Sequence, residues 1–510
     1  MLIIMSGVLN MVTQNDIDVL LQPTKEICYR LDILDSNFRK LDSIEGNLIS
    51  DNISISSDSN IRRTYNCELL VTNNKFLIGK NNYIWFTRFI RPYVGVKSQR
   101  TQTITWYCLG TFLFTDENYN FNAITNQLSL TCVDMMALLD DTRKGQLDQY
   151  QRVIKRGTDV RSVILSLLNE IGITRYYIEF NKNNQSVYTY EMPYDKTYPT
   201  GTTAYEIIKE LVDLYAGTQM YFDVDGTFYI KRIPTDKNET IVLDDSIIQR
   251  ILIDEQTATS FSSVYNHIVI WGNMNEPEYY TETVTVDGSI YKASVIEFKV
   301  DDDTEETTEI VYEEYKNFDE FSIRIPSTNV DNQLLSINSL TAYPIVYEVL
   351  DNFEPLPKGY LDANTDCVFR YRKDTSDFLY LGNYQCYGEA YLTNNLNDTN
   401  KYAVANDKSD FVIEEIGTRL KTLTGGDYDN IYTDSLACQR ARYELYSATN
   451  KQETLTLNIV AVPWLDVNQI IRFISNTNHE TNEWIITNIS CDYSTYTMTV
   501  NASRYYPVYI

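Results

Sequence analysis

Histidine is almost missing from this sequence: its 510 residues contain two, His267 and His479, far apart in the chain. Imidazole is the usual general base and a frequent metal ligand, so the shortage weighs against hydrolases that need several at close spacing. No H-x-H or H-E-x-x-H occurs, which removes the peptidoglycan metallopeptidase pattern, and none of the eight cysteines has the surroundings of a peptidase nucleophile. Also absent are G-x-S-x-G, the phosphate-binding G-x-x-x-x-G-K-[ST] and the dinucleotide fingerprint G-x-G-x-x-G. A glycosidase needs only two carboxylates at a suitable separation, and a chain with 70 acidic residues offers too many pairs for sequence to choose among. The reading is therefore of a protein that is not an enzyme, with no catalytic, cofactor-binding or metal-ligating residues and no cofactor. His267 reads as a residue of the apolar strand YNHIVIWG, and His479 as a loop residue in NTNHET.

Positive charge is short as well. Lys and Arg number 43 against 70 Asp and Glu, giving a net charge of -27. Such a balance argues against binding by phosphate neutralisation and against anionic membrane surfaces, and it keeps a protein soluble. No segment reaches the roughly 18 apolar residues of a membrane span. The opening MLIIMSGVLNMV has no Lys or Arg before Lys25 and is interrupted by Gly7 and Asn10, so it lacks the pattern of a signal peptide. The cysteines (Cys28, Cys67, Cys108, Cys132, Cys367, Cys386, Cys438 and Cys491) are scattered without a C-x-x-C pair, which reads as reduced, buried thiols in a chain folded in a cytoplasm.

What the chain does have is strand pattern. Residues 26 to 140 contain short runs rich in aromatic and β-branched side chains, Glu26 to Ile33, Ile53 to Ser56, Tyr65 to Val71, Trp85 to Val94, Thr103 to Phe114 and Asn126 to Cys132, which predict a barrel or sandwich. A short helix is expected from Asp134, and a longer one within Val153 to Ile173, capped by Thr158 or Asp159 and stopped by Gly172. The stretch Gly201 to Ile230 is the clearest unit. Thr203 and Glu206 have capping-box spacing, and Ala204, Ile207, Ile208, Leu211 and Tyr215 form one apolar stripe ended by Gly217. Asp225-Gly226 then predicts a two-residue hairpin turn pairing Val224 with Thr227, Phe222 with Tyr229 and Tyr221 with Ile230. Both faces of that hairpin carry large apolar groups, so it should lie between its helix and a further layer, which could be another subunit.

Beyond it, Val264 to Trp271 reads as strand, and 275 to 430 as an irregular β-rich region. The acidic run DDDTEETTEIVYEEY at 301 to 315 lacks the ligand alternation and central glycine of a calcium loop and reads as a solvated face. A helix at Asp434 to Ser447 precedes strands at Glu453 to Ala461, Gln469 to Phe473, Trp484 to Ile489 and Tyr496 to Asn501. At about 100 to 200 residues per domain, three or four domains are expected.

Two segments carry a family likeness. Arg440, Arg442, Tyr443 and Glu444 on a helix lead to a strand that ends at Pro463-Trp464-Leu465, then to a hairpin of Trp484 to Ile489 with Tyr496 to Val500. This resembles the last barrel of phage tail hub proteins, the group of contractile-tail baseplate hubs and their siphophage tail-tip counterparts; Asn468 stands where the family often has glycine, and asparagine tolerates the left-handed conformation. Near the N-terminus, Ile61-Arg62-Arg63-Thr64, then Trp85 with Arg88 and Arg91, then Trp106 with Leu109-Gly110-Thr111-Phe112, follow the order of the same family's first barrel.

The resemblance implies an α+β, β-rich fold: two tube-like β-barrels plus a helix-hairpin domain and a β-rich insertion. The divisions would be a first barrel at 1–148, the helix and hairpin at 149–235, strands of the second barrel at 236–274, an acidic β-rich insertion at 275–430, and a helix completing the second barrel at 431–510. It further implies a homotrimer at the virion tail tip or baseplate that closes the tail tube and adapts its sixfold symmetry to a threefold tip. Its partners would be the tail tube or distal tail protein, the tape-measure protein, and a tip spike or receptor-binding proteins. DNA would pass through the lumen without specific binding, and no membrane insertion is expected. Two readings from other classes stay open: a receptor- or carbohydrate-binding tail protein, suggested by 41 tyrosines, and a tail-associated cell-wall hydrolase.

Overall fold

The computed structural model describes residues 12–505 apart from 122–125, 148–150, 180–191, 193, 215–216, 235–238, 301–306, 350–351, 450–452 and 478. The opening apolar stretch up to residue 11, Tyr215 of the predicted stripe and the first part of the acidic run lie outside the described residues. The chain is β-rich, 46% strand and 16% helix, in agreement with the predicted fold class.

Fourteen strands form one sheet. From the edge strand Leu252–Thr259 it runs through Glu453–Val460, Thr497–Arg504 and Thr481–Asp492, crosses to Leu48–Ser56, and continues through Arg63–Leu70, Asn126–Asp134, Phe112–Phe121, Phe89–Lys97 and Glu26–Leu34 to Lys40–Glu45. The crossing is antiparallel, with Ile53 opposite Cys491 and Ile55 opposite Ile489. The two halves predicted as tube-like barrels are thus joined edge to edge, and they share a core in which Leu31, Ile53, Tyr65 and Leu130 meet Ile248, Leu457, Ile486 and Val500. Period-two alternation puts an apolar face on the same side of both halves, and pairing them satisfies backbone groups that two free edges would expose.

A second core holds the helices Val160–Ile171 and Ala204–Asp213. Asp159 caps the first, accepting from Ser162 N at 2.9 Å, and Gly172 closes it at φ +98°. Thr203 and Glu206 cap the second reciprocally, Glu206 N to Thr203 Oγ1 at 3.1 Å and Thr203 N to Glu206 Oε2 at 2.7 Å. Ile207, Ile208 and Leu211 then pack on Phe222, Phe228 and Ile230 of the hairpin.

The hairpin register differs from the prediction by one residue. Asp223 N donates to Thr227 O and Gly226 N to Asp223 O, both at 2.9 Å, so the loop is Val224-Asp225-Gly226, with Gly226 left-handed at φ +80°. Phe222 consequently faces Phe228, and Tyr221 faces Tyr229. That register puts both phenylalanines on the helix side and both tyrosines on the other, whereas the two-residue turn would have split each pair between faces.

Residues 279–382 contain a ring closed by strand pairing: Tyr279–Asp287, Ile290–Val300, Leu334–Ile337, Tyr343–Val349, Asp377–Gly382, Asp366–Arg372 and Glu320–Arg324, which returns to Tyr279–Asp287. Its interior is filled by Tyr291, Phe321, Ile323, Phe369 and Phe378. The acidic run is only in part a solvated face: Glu313 and Glu314 are exposed, but Tyr312 and Tyr315 are buried in this ring's core. Strand His267–Met274, expected in the second barrel, instead pairs with Gln385–Thr393 and Leu420–Leu423 in a separate four-stranded sheet. The helix Asp434–Thr449 covers that sheet through Leu436, Ala437, Ala441 and Leu445, and this separate apolar layer is what draws the strand away.

Candidate functional site

The motif residues that are scattered in sequence converge on one buried junction. Arg63 opens its strand at an inward-facing position and is 2% exposed. Its Nη1 donates to Phe222 O at 2.7 Å, its Nη2 pairs with Asp466, and its backbone N donates to Asp134 Oδ2 at 2.9 Å. Arg62 faces the same Asp466 carboxylate, with its Nε 3.5 Å from Oδ1. It donates to Gln219 Oε1 at 3.0 Å and to Val467 O at 2.8 Å, and its guanidinium lies 3.9 Å from the centroid of the Tyr221 ring. This stacked cation, supplied by the same chain, covers the outer face of the hairpin, where the sequence suggested a further layer.

The hairpin tip is held just as densely. Thr111 Oγ1 donates to Val224 O at 2.8 Å, and Arg91 donates to Asp225 O at 3.0 Å and to Thr111 Oγ1 at 3.0 Å. Arg175 pairs with the Asp225 carboxylate at 2.6 Å. On the C-terminal side, Asn468 adopts φ +61°, the left-handed backbone anticipated at this glycine-like position, and donates to Gln219 Oε1 at 2.7 Å. Phe222 O, Val224 O and Asp225 O each accept a side-chain donor from the first half of the sheet. That network ties together three segments, through bonds between residues 113 to 405 apart in sequence.

Burial disfavours every charge here, and the neighbours decide the outcome. Burial is the largest influence on Arg63, yet its guanidinium stays above its ordinary value because Asp466, Asp223 and Asp134 together outweigh it, while Arg62, buried beside a like charge, is lowered. Asp466 sits below the usual carboxylate range, its burial overcome by the two arginines. Asp134 is pushed up to about 6 by burial, against the N–H groups of Met136 and Arg63 that it accepts. These charges face one another within the buried junction.

Elsewhere the quoted residues do not gather. Trp106 lies against the Arg30 guanidinium at 4.7 Å, and Trp85 makes an edge contact with Phe86. Trp464 packs on Tyr107, Arg88 donates to Lys80 O at 3.2 Å, and Arg440 pairs with Glu444 at 2.9 Å. His267 Nε2 lies 2.8 Å from Glu389 Oε1 on the four-stranded sheet, whereas His479 occupies a left-handed loop position ahead of the large-sheet strand Thr481–Asp492. The described residues contain no group of three or more His, Cys, Asp or Glu that could hold a metal ion, no helix long and apolar enough to cross a membrane, and eight free cysteines. Gln219 and Asp466, which complete the junction, were not singled out from sequence, and Asp134 was read only as the start of a short helix; Asp466 follows directly on the Pro463-Trp464-Leu465 turn, which was its one available signal.

A second buried group lies on the seam between the two halves. Asp51, opposite Cys67, accepts from Tyr65 Oη at 3.1 Å and is pushed up to about 7, by burial first and by Asp492 as well, against the Tyr65 hydrogen bond. A carboxyl raised above its unfolded value near 3.9 binds more protons in the folded state between pH 4 and 7, so it lowers stability as pH rises through that window. The Asp51→Asn variant should therefore gain on the parent protein as pH rises from 4 to 8, on the order of 4 kcal/mol. Chemical denaturation at pH 4.5, 6 and 8 measures this; a constant difference between the two proteins would contradict the assignment.

The family model described as Domain of unknown function (DUF5048) matches residues 408–509. No curated protein matches the chain. Among solved structures, the chain is similar to the 43 kDa tail protein of prophage MuSo2 from Shewanella oneidensis, with 10% identity, TM-score 0.47, and 94% of this chain and 98% of that one covered. It is similar to a tail protein from Neisseria meningitidis MC58, with 8% identity, TM-score 0.47, and coverage of 93% and 96%. It is also similar to the prophage tail protein gp18 from Listeria monocytogenes EGD-e, with 9% identity, TM-score 0.44, and coverage of 93% and 94%. The structural neighbours of this chain are thus phage tail proteins.

Proposed function

We propose that this chain is a structural protein of a phage tail, the homotrimeric hub of the tail tip or baseplate, and not an enzyme. The observation that carries this reading is the convergence at the arginine junction. Arg62, Arg63, Arg91 and Thr111 from the N-terminal resemblance and Asn468 from the C-terminal one meet around a single hairpin, as parts of one body should. On this reading the two sheet halves joined within one chain would each form a wall segment, and three subunits would then present six, matching a sixfold tube above a threefold tip. The ring would contact the tube or distal tail protein and the tape-measure protein, and carry a spike or receptor-binding assembly. The charge of -27 suits a lumen through which DNA slides without adhering.

Oligomeric state tests the reading. Light scattering on the purified chain, alone and mixed with its cognate tube protein, should give a trimer or trimer formation on assembly. A monomer that never joins the tube protein overturns the proposal. Reversal of lumen-facing acids should slow DNA ejection, and unchanged ejection kinetics would count against the DNA-passage role.

A further inference from the structure

The tyrosines of the closed ring are mostly core: Tyr279, Tyr291, Tyr312, Tyr315, Tyr371 and Tyr380 are buried. Tyr280 and Tyr384 break that pattern at 54% and 40% exposure. They border a cleft of about 420 Å³ at the end of the ring where Tyr279–Asp287 runs parallel to Glu320–Arg324, which in turn pairs with Asp366–Arg372. The two phenol rings are nearly parallel, inclined by 27° with centroids 6.3 Å apart. Opposite charges line the same cleft: Arg324 Nη1 lies 3.2 Å from Asp366 Oδ2, with both side chains largely exposed. Asn364 is held at the rim in a left-handed backbone by its N–H bond to Ile325 O at 2.7 Å. Ile325, Pro326 and Val284 supply apolar surface.

This combination selects by chemistry. Aromatic and aliphatic faces favour a ligand with an apolar side, while the guanidinium, carboxylate and amide present donors and acceptors to hydroxyl groups. Arg324 is neutralised by Asp366, so no spare cation is available for a phosphate or carboxylate, and the overall charge repels polyanions. The ring's interior is filled, so the ligand would be met at its end and not conducted through it. We infer that the Tyr280–Tyr384 cleft is a binding site for a neutral saccharide, a pyranose stacking on the tyrosine rings while Asp366, Arg324 and Asn364 bond to its hydroxyls. The site is independent of the tail-hub reading, since it needs neither trimer nor tube.

The test is titration of the full-length protein, by saturation-transfer NMR and calorimetry, with neutral oligosaccharides of glucose, galactose, rhamnose and N-acetylglucosamine, and with an anionic polysaccharide as counter-probe. Saturable binding of at least one neutral sugar is expected. Tyr384→Ala and Asp366→Asn should each weaken it roughly tenfold with unchanged melting, because both side chains are exposed. Tyr177→Ala, an exposed tyrosine elsewhere, should leave it intact. Absence of binding by every neutral sugar, binding that survives both cleft substitutions, equal loss in Tyr177→Ala, or a preference for the polyanion would each overturn the assignment.

Discussion

Arg63→Ala is expected to lose about 3–5 kcal/mol of stability, the cost of stranding a buried partner when one member of an ion pair is removed. The residue left behind is Asp466, whose carboxylate is held below its ordinary range, against burial, by Arg62 and Arg63 first and by the Val467 N–H and Lys231 as well. Phe222 O loses its donor at the same time, and Asp134 loses a positive neighbour. Arg63→Lys should recover part of the loss, since a single ammonium cannot reach both Phe222 O and Asp466 as the two arms of the guanidinium do. The double variant Arg63→Ala with Asp466→Ala should cost less than the sum of the single changes, because the two share one network. A chain with several cores need not unfold in one step, so hydrogen exchange is a sharper probe than a single melting point. Exchange should accelerate at residues 219–227 and 466–469 and leave the ring at 279–382 unaffected. Unchanged protection at the hairpin would show that the junction is not what holds it.

The second large effect is expected at Gly388. A Cβ placed there would lie 2.1 Å from the Ala437 carbonyl carbon and 2.5 Å from Cys438 N, both backbone atoms of the covering helix. No rotamer change relieves such a clash, so Gly388→Ala must force the helix Asp434–Thr449 off the four-stranded sheet, and Leu436, Ala441 and Leu445 with it. Little soluble protein, or a loss of roughly 3 kcal/mol or more, is the expected result. Gly288→Ala is the matched control: its φ is +63° but nothing lies within 4 Å, so only the left-handed strain of about 1–2 kcal/mol remains. Equal melting of the two variants, measured side by side, would refute the close-packing account.

Local signals transferred well into the structure wherever the deciding interactions are near in sequence. Thr203 and Glu206 cap their helix as the spacing predicts, Gly172 closes the one before, and Asn468 takes the left-handed backbone. The hairpin at 225–226 was legible in place but not in register. A dipeptide marks a turn, but whether two or three residues form the loop depends on which face must bury Phe222 and Phe228 and on three carbonyls claimed by Arg63, Thr111 and Arg91. The closed ring was hidden for a similar reason. Its parallel pairings, Tyr279 with Phe321 and Ile290 with Leu334, join strands more than 40 residues apart, and no turn between them announces the contact.

Sequence by itself determined the β-rich fold class of this protein, because strand periodicity is a property of residue type and short spacing. Its capped helices are determined in the same way, since a cap acts within one turn of the chain. Tertiary structure alone decided that the two halves predicted as separate barrels share one sheet, that His267–Met274 leaves them for another, and that an arginine pair read as a family mark is a buried clamp. Those outcomes depend on long-range pairing and on which charges can neutralise each other once water is excluded. Neither quantity is a property of any short stretch of residues.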